Sequence, residues 1–377
     1  MLVKDRGASM AIATPLEAQH VTAGAKMGMW FGCSLPSLFS TFEQEYRFAR
    51  ESVALVDKNY RAYFEFTGPD RARYLNAVLT NNIQDLSPGQ GCLSLLLSAQ
   101  GHIIAEVDVH ALLDRLLLGS FAMIREALGA VLDKYIIMDD VVLEDVTDKR
   151  AVLALEGPKT DAVLHALQAP QTAWLTELGH AETSVAGIPC RLVRRSPGVP
   201  GCEFIVERSR IDELWRVLSE AVRPLGGPIG YETLNVVRLE AGIPWFGYDF
   251  GEKQIPHEVG LENSHISYTK GCYTGQEIVE RVRSRGHVNR RLVGFRFDGA
   301  TEVSAGTRLF ANGTEAKPNA EEIGFVTRTG FSPAAGSIIG MGYVRTEQST
   351  PGNTLRWANG IAKVIELGIE HLLSSRK

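Results

Sequence analysis

The spacing of apolar and polar positions changes several times along the chain, and each change marks an element. Residues 63–79, YFEFTGPDRARYLNAVL, alternate as a strand, break at Gly-Pro and resume at helical spacing; residues 152–167, VLALEGPKTDAVLHAL, repeat the pattern. Proline in a first helical turn gives up an amide that would have had no partner, and glycine permits a tight entry, so both copies predict a strand-to-helix corner. CEFIVERSRIDELWRVL, from Cys202, is a third strand-then-helix unit without Gly-Pro. Between the first two copies, GCLSLLLSAQGHIIAEVDVH reads as two strands folded about SAQG, with a helix expected near FAMIREALGAVLDKY. Upstream, PLEAQHVTAGAKM and FEQEYRFARESVAL carry helical spacing, the second with Phe42, Tyr46 and Ala49 on one stripe.

After about residue 288 the texture becomes short strands (RRLVGFRFDG, GTRLF, EIGFVTRTG, SIIGMGYVR) separated by Gly, Pro and Asn turns. Hairpins mixed with helices predict an α+β fold of antiparallel sheets with helices, and the tail predicts a small β-barrel. The expected organisation is residues 1–287 as one region of two intertwined α+β subdomains and residues 288–377 as the barrel. No GxGxxG or GxxxxGK[ST] is present, so no nucleotide cradle is indicated.

Composition narrows the function classes. A net charge of -5 argues against whole-surface attraction to nucleic acid or anionic membrane, so direct nucleic-acid binding is not expected. No apolar run reaches the ~20 residues that span a bilayer, and no signal-like leader is seen, so the expected location is cytoplasmic. Cysteines 33, 92, 190, 202 and 272 are odd in number and lack CxxC spacing, which signals neither a disulfide framework nor a zinc site.

Cys272 sits in KGCYTGQE, residues 270–277. Thr274 and Glu277 match a capping box ahead of IVERVRSRG, with Gly286 as a left-handed stop. Cys272 would then lie near the positive end of a helix dipole and close to Lys270, both of which favour thiolate. Local physics leaves two readings open, a reactive thiol and a small buried side chain in a glycine-flanked turn. Arg281, Arg283, Arg285, His287, Arg290 and Arg291 form a basic cluster, read as a solvated face balanced by Glu277 and Glu280 or as a dock for a polyanion.

These segments together resemble the glycine-cleavage T-protein superfamily of folate-binding aminomethyltransferases, over nearly the whole chain. The resemblance is carried by GAKM at Gly24, FTGPDRARYLNAVLTNNI, LSPGQG, ALEGPK, Gly198, Gly201 and Glu203 in a G-x-x-G-x-E pattern, and VVRLEAGIPWFGYDF. Within it, KGCYTGQE resembles the YgfZ-type branch, linked to iron-sulfur cluster maintenance and through that to tRNA modification. The resemblance implies a tetrahydrofolate cofactor, with Glu203 facing the donor edge of the pterin. It also implies Arg238 as a fork for carbonyl or carboxylate oxygens, Trp245 and Tyr248 as ring walls, Lys270 and Tyr273 beside the cofactor, and Cys272 as the functional thiol. Iron-sulfur client proteins are the implied partners. Read without the resemblance, Arg238 is a helix-surface ion pair and the aromatics are core.

One departure bears on activity. The family carries two consecutive aspartates in the second hairpin strand, the first taken as the catalytic carboxylate; here the stretch is GHIIAEV, with Ala105 first and Glu106 second. Neighbouring strand residues point to opposite faces, so Glu106 is expected on the wrong side to replace the lost acid. That expectation favours a thiol-dependent folate protein over an aminomethyltransferase or other one-carbon transferase.

Overall fold

The structure, a computed structural model, describes residues 11–170, 172, 175–195, 198–299, 302–312 and 321–369. These divide into two compact units. The first takes the described parts of Met1–Ala99, Ile104–Leu234 and Ser264–Thr274, and the second those of Gln100–Ile103, Asn235–Asn263 and Gly275–Lys377. Residues 235–263 and 275–287 therefore cluster with the barrel rather than with the region ahead of it.

The first unit is built on two large sheets. One has five strands in the order Gly91–Leu97, Ile103–Ala111, Leu116–Phe121, Arg61–Thr67, Val142–Asp145. The other has six, in the order His180–Val185, Ile188–Arg194, Gly201–Glu207, Arg150–Glu156, Ala54–Asp57, Gly227–Pro228, antiparallel except for the last pair. Tyr63 and Leu117 from the first sheet pack with Val152, Val193 and Ile205 from the second, so the sheets meet face to face. The outer face of the six-stranded sheet is covered by the helices Thr160–Ala166 and Ile211–Val222, which place Val163, Leu164, Leu214 and Leu218 against Leu153, Leu155 and Phe204. On the outer face of the other sheet, Phe66 stacks on Tyr74 of the helix Arg71–Val78. The α+β expectation describes this layering.

Both strand-Gly-Pro-helix copies form corners, one from each sheet. Gly68 lies at φ 95° and Gly157 at φ 132°, and a Cβ would meet Asp140 O at 2.2 Å or Ser52 O at 2.4 Å, so neither position admits a side chain. The prolines act one step earlier than expected: Pro69 and Pro158 precede the N-caps Asp70 and Lys159 and pre-set the approach of the chain rather than the first helical turn.

Two helical expectations shorten. In PLEAQHVTAGAKM only Glu17–Thr22 is helical; Gly24, at φ 84°, lies just past its end, and Lys26–Trp30 becomes a strand paired with Cys33–Leu38. FEQEYRFARESVAL yields the helix Phe42–Glu51, after which residues 54–57 enter the six-stranded sheet. That helix buries Glu45 beside Ala49, where the carboxylate accepts from Phe39 N at 2.5 Å, Ser40 N at 2.9 Å, Gly230 N at 2.8 Å and Thr233 Oγ1 at 2.9 Å.

In the second unit six strands close a barrel in the order Arg290–Phe297, Ser337–Arg345, Gly324–Ser332, Arg308–Ala311, Thr354–Trp357, Gly360–Ile365. Its core is Phe295, Phe297, Leu309, Val326, Val344, Leu355 and Val364. Closure leaves no open edge strand. Among the described residues no helix is long and apolar enough to cross a membrane.

Candidate active site

The inner face of the five-stranded sheet carries charge where a core would carry leucine. Strand alternation sends Arg61, Tyr63 and Glu65 to one side of their strand and Glu106, Asp108 and His110 to one side of theirs. Asp108, 1% exposed, accepts from Arg61 and, at 2.7 Å, from Arg195 Nη1. Burial alone would raise the Asp108 carboxyl; Arg61, His110 and Arg195 outweigh it and hold the group below the carboxylate range. Gly119 lies opposite Asp108 on one neighbouring strand and opposite Tyr63 on another. A Cβ there would come within 2.2 Å of Asp108 Oδ1 and 2.5 Å of Arg61 Nη2, so the bare glycine is what makes room for the ion pair.

The six-stranded sheet answers with Glu203, Arg195 and the buried pair Lys58–Glu156, Nζ to Oε1 at 2.6 Å. Glu203 is 5% exposed, and its hydrogen-bond and ion-pair partners among the described residues reduce to one: Arg195 Nε, 3.5 Å from Oε1. Lys58 and Arg61 also feel its charge, and no hydrogen-bond donor among the described residues reaches its oxygens, so a row of N–H donors could bond to it. Buried atoms without a hydrogen-bond partner lie on the facing sheet: Arg61 Nε, Tyr63 OH, His110 Nδ1 and Asp108 Oδ1, the last 3.7 Å from His110 Nε2. Tyr60 stacks on Phe31, ring centroids 4.3 Å apart. Phe31 is held at φ 52°, a conformation costly for a bulky side chain and found where surroundings over-determine it. Towards the other end of the same strands opens a separate cleft of about 600 Å3, lined by Glu65, Arg115, Arg150, His180 and Arg191.

In the GHIIAEV stretch Ala105 and Glu106 point to opposite sides, as alternation predicts. Ala105 is fully buried and alternates with Val107 and Val109 on the apolar face. Glu106 shares the face of Asp108 and His110, its side chain 16% exposed, with Oε1 3.2 Å from His265 Nε2. The polar side of the strand thus carries a carboxylate at Glu106, and Ala105 lies on the apolar side.

The KGCYTGQE segment is built differently from its expected form. The helix is Gln276–Arg285, its N-cap is Gly275 at φ 82°, and no side chain caps it, so the Thr274/Glu277 box does not form; Gly286, at φ 64°, is the left-handed stop. A residue in that left-handed conformation turns the chain where a threonine cap would have kept it extended. Cys272 is exposed, three residues before the cap. Lys270 does not point at it. The ammonium donates to the carbonyls of Asn76, Leu79 (2.5 Å) and Asn81 (2.9 Å), closing the C-terminal end of the helix Arg71–Val78, and lies 5.1 Å over the buried Tyr273 ring. Burial pushes Lys270 down to about 8, against the opposing pull of Cys92. With all three protons on carbonyls, Lys270 has none left for a cofactor. The Cys92 thiol is itself pushed up to about 12 by burial and by Asp108.

Arg238, Trp245 and Tyr248 lie in the second unit. The Arg238 guanidinium, 3% exposed, is spent on Asn235 Oδ1 (3.2 and 2.9 Å), Ile243 O (3.2 Å) and Asp249 Oδ2 (2.5 Å), and lies 4.7 Å from the Trp245 ring centroid. It is an internal brace, neither the outward fork nor the surface ion pair expected. Tyr248 lies 4.2 Å under the Arg328 guanidinium. Reading the sequence missed Arg61, Asp108 and Arg195. One signal was present: EVDVH alternates charged and apolar side chains at positions 106–110, placing three titratable groups on one strand face.

A face-to-face pair of sheets with charged side chains between them, in a chain that also carries a closed barrel, defines an α+β protein. The chain belongs to the glycine-cleavage T-protein family: residues 16–266 match the GCVT N-terminal domain and residues 290–364 the glycine cleavage T-protein C-terminal barrel domain. It is 28% identical over 345 residues to an aminomethyltransferase of Streptomyces avermitilis, covering 90% of this chain and 91% of that one. It is likewise 28% identical over 346 residues to one of Halothermothrix orenii, covering 91% and 94%. The fold is similar to the crystal structure of glycine cleavage system aminomethyltransferase T from Bartonella henselae, with a TM-score of 0.85 at 24% identity over 94% of this chain and 96% of that one.

Proposed function

We propose that the chain binds a reduced folate against Glu203 and uses it in one-carbon transfer of the aminomethyltransferase type. The observation that carries this reading is the Glu203 carboxylate, buried with a single long ion pair to Arg195. An ionised carboxylate only accepts hydrogen bonds, which matches the row of N–H donors on a pterin edge. When bound, a reduced folate supplies the nitrogens that take up or release the one-carbon unit. Arg195 orients Glu203 from one side, and Glu106 stands on the Asp108 face as the carboxylate able to hold or hand over a proton. The relatives named aminomethyltransferase support this reading over the iron-sulfur role suggested by KGCYTGQE. Incubation of the protein with tetrahydrofolate and an aminomethyl-lipoyl carrier should release ammonia and form methylene-folate; no release above the carrier-only control contradicts the transferase reading.

A second reading, a YgfZ-type protein acting in iron-sulfur cluster maintenance and thereby in tRNA modification, is favoured by one observation. Cys272 is exposed, whereas burial pushes the thiols of Cys33, Cys92 and Cys190 up to about 12. On this reading a Cys272→Ala chain fails to rescue a deletion strain although folded; full rescue argues against it.

A further inference from the structure

We propose that His265 relays protons between solvent and Glu106 through the hydroxyl of Ser264. This rests on the one-carbon reading for what Glu106 does with the proton, whereas the chain of groups stands on geometry. Ser264 Oγ lies 2.7 Å from His265 Nδ1, and His265 Nε2 lies 3.2 Å from Glu106 Oε1. The three groups run from outside to inside: Ser264 is exposed, the imidazole is 4% exposed, and Glu106 faces inward beside Asp108. The imidazole is held in place through its backbone, because Thr80 Oγ1 donates to His265 O at 2.7 Å and Thr80 O accepts from Ser267 N at 3.1 Å.

These contacts select one tautomer. An ionised Glu106 can only accept, so Nε2 carries the ring proton and Nδ1 accepts from the Ser264 hydroxyl. Proton delivery follows: Nε2–H passes to the Glu106 oxygen, Ser264 O–H passes to Nδ1, and water re-protonates the serine oxygen. Glu106 then gives its proton to the amine that departs with the electron pair of its C–N bond. When Glu106 takes a proton from the nitrogen that has formed the new C–N bond, the same sequence in reverse restores the first tautomer. His265 touches no ligand in this scheme; it is a positioning and relay residue.

The test uses the full chain. In 15N spectra of histidine-labelled protein without folate, with His265 assigned by its loss in His265→Gln, the ring should be in the Nε2–H form; an Nδ1–H ring overturns the proposal. In the tetrahydrofolate and aminomethyl-carrier assay, His265→Gln keeps an N–H donor for Glu106 but cannot relay. Its kcat should fall on the order of 10-fold or more, with tetrahydrofolate Kd within about twofold of wild type. Ser264→Ala, at the exposed end and least able to disturb folding, should share the fall. Wild-type kcat in either variant overturns the relay. Because the tautomer is read without folate, a wild-type chain with the expected ring but no turnover counts against the one-carbon reading and leaves the pair standing.

Discussion

Glu203 and Lys270 show how partners decide what a side chain can do. Both are charged, both are withdrawn from water, and the family resemblance places both beside the cofactor. Glu203 has one long ion pair, whereas Lys270 has its three protons on the carbonyls that end the helix Arg71–Val78. Lys270→Met should therefore destabilise the protein by roughly 3 kcal/mol in urea unfolding while leaving tetrahydrofolate affinity unchanged, because three carbonyls lose their donors and the ligand loses nothing. Asp108 yields a pH prediction. Its folded pKa is depressed, so the stability it contributes is complete above the unfolded value of 3.8 and is lost as pH falls through the lower folded one. Acid unfolding of Asp108→Asn should lack that component of the loss below about pH 4. Local spacing singled out Cys272, while Glu203 came only from the family resemblance. The Arg61–Asp108–Arg195 cluster was visible from neither, because its members come from separate strands and only the two facing sheets bring them together.

At the scale of elements, what could be read was the set of corners and periods. Both Gly-Pro corners, the SAQG hairpin and the barrel strands are local in sequence, and local chemistry determines them. The helix start after KGCYTGQE went the other way: a threonine-glutamate spacing signals a capping box, yet Gly275 in a left-handed conformation takes the cap. Spacing alone cannot tell which of two neighbouring residues turns the chain. Alternation says that Ala105 and Glu106 differ in side, not which side is polar. The ion pairs of Asp108, on the same face as Glu106, with Arg61 and Arg195 mark the polar one. Gly119→Ala provides an element-scale test. Its Cβ would sit 2.2 Å from Asp108 Oδ1, so the strand must shift or the ion pair must break. The expected cost is about 3–5 kcal/mol in chemical unfolding, the range for breaking a buried pair; a loss within ~0.5 kcal/mol, as for an ordinary surface substitution, would show that the pair does not depend on the glycine.

For the molecule as a whole, the two family domains account for most of the chain, and the charged layer lies inside the first unit alone. Among the proposed binding groups, Glu203 and Glu106 both belong to that unit, so the central claim can be put to one residue without disturbing the barrel. The direct measurement is a tetrahydrofolate titration of the wild-type protein beside Glu203→Ala, with Cys272→Ala as the control. The account predicts saturable binding by wild type, affinity weaker by about 10- to 100-fold in Glu203→Ala, as for loss of hydrogen bonds to a charged group, and no change in Cys272→Ala. Equal affinity in wild type and a folded Glu203→Ala, or no binding by wild type, would contradict it.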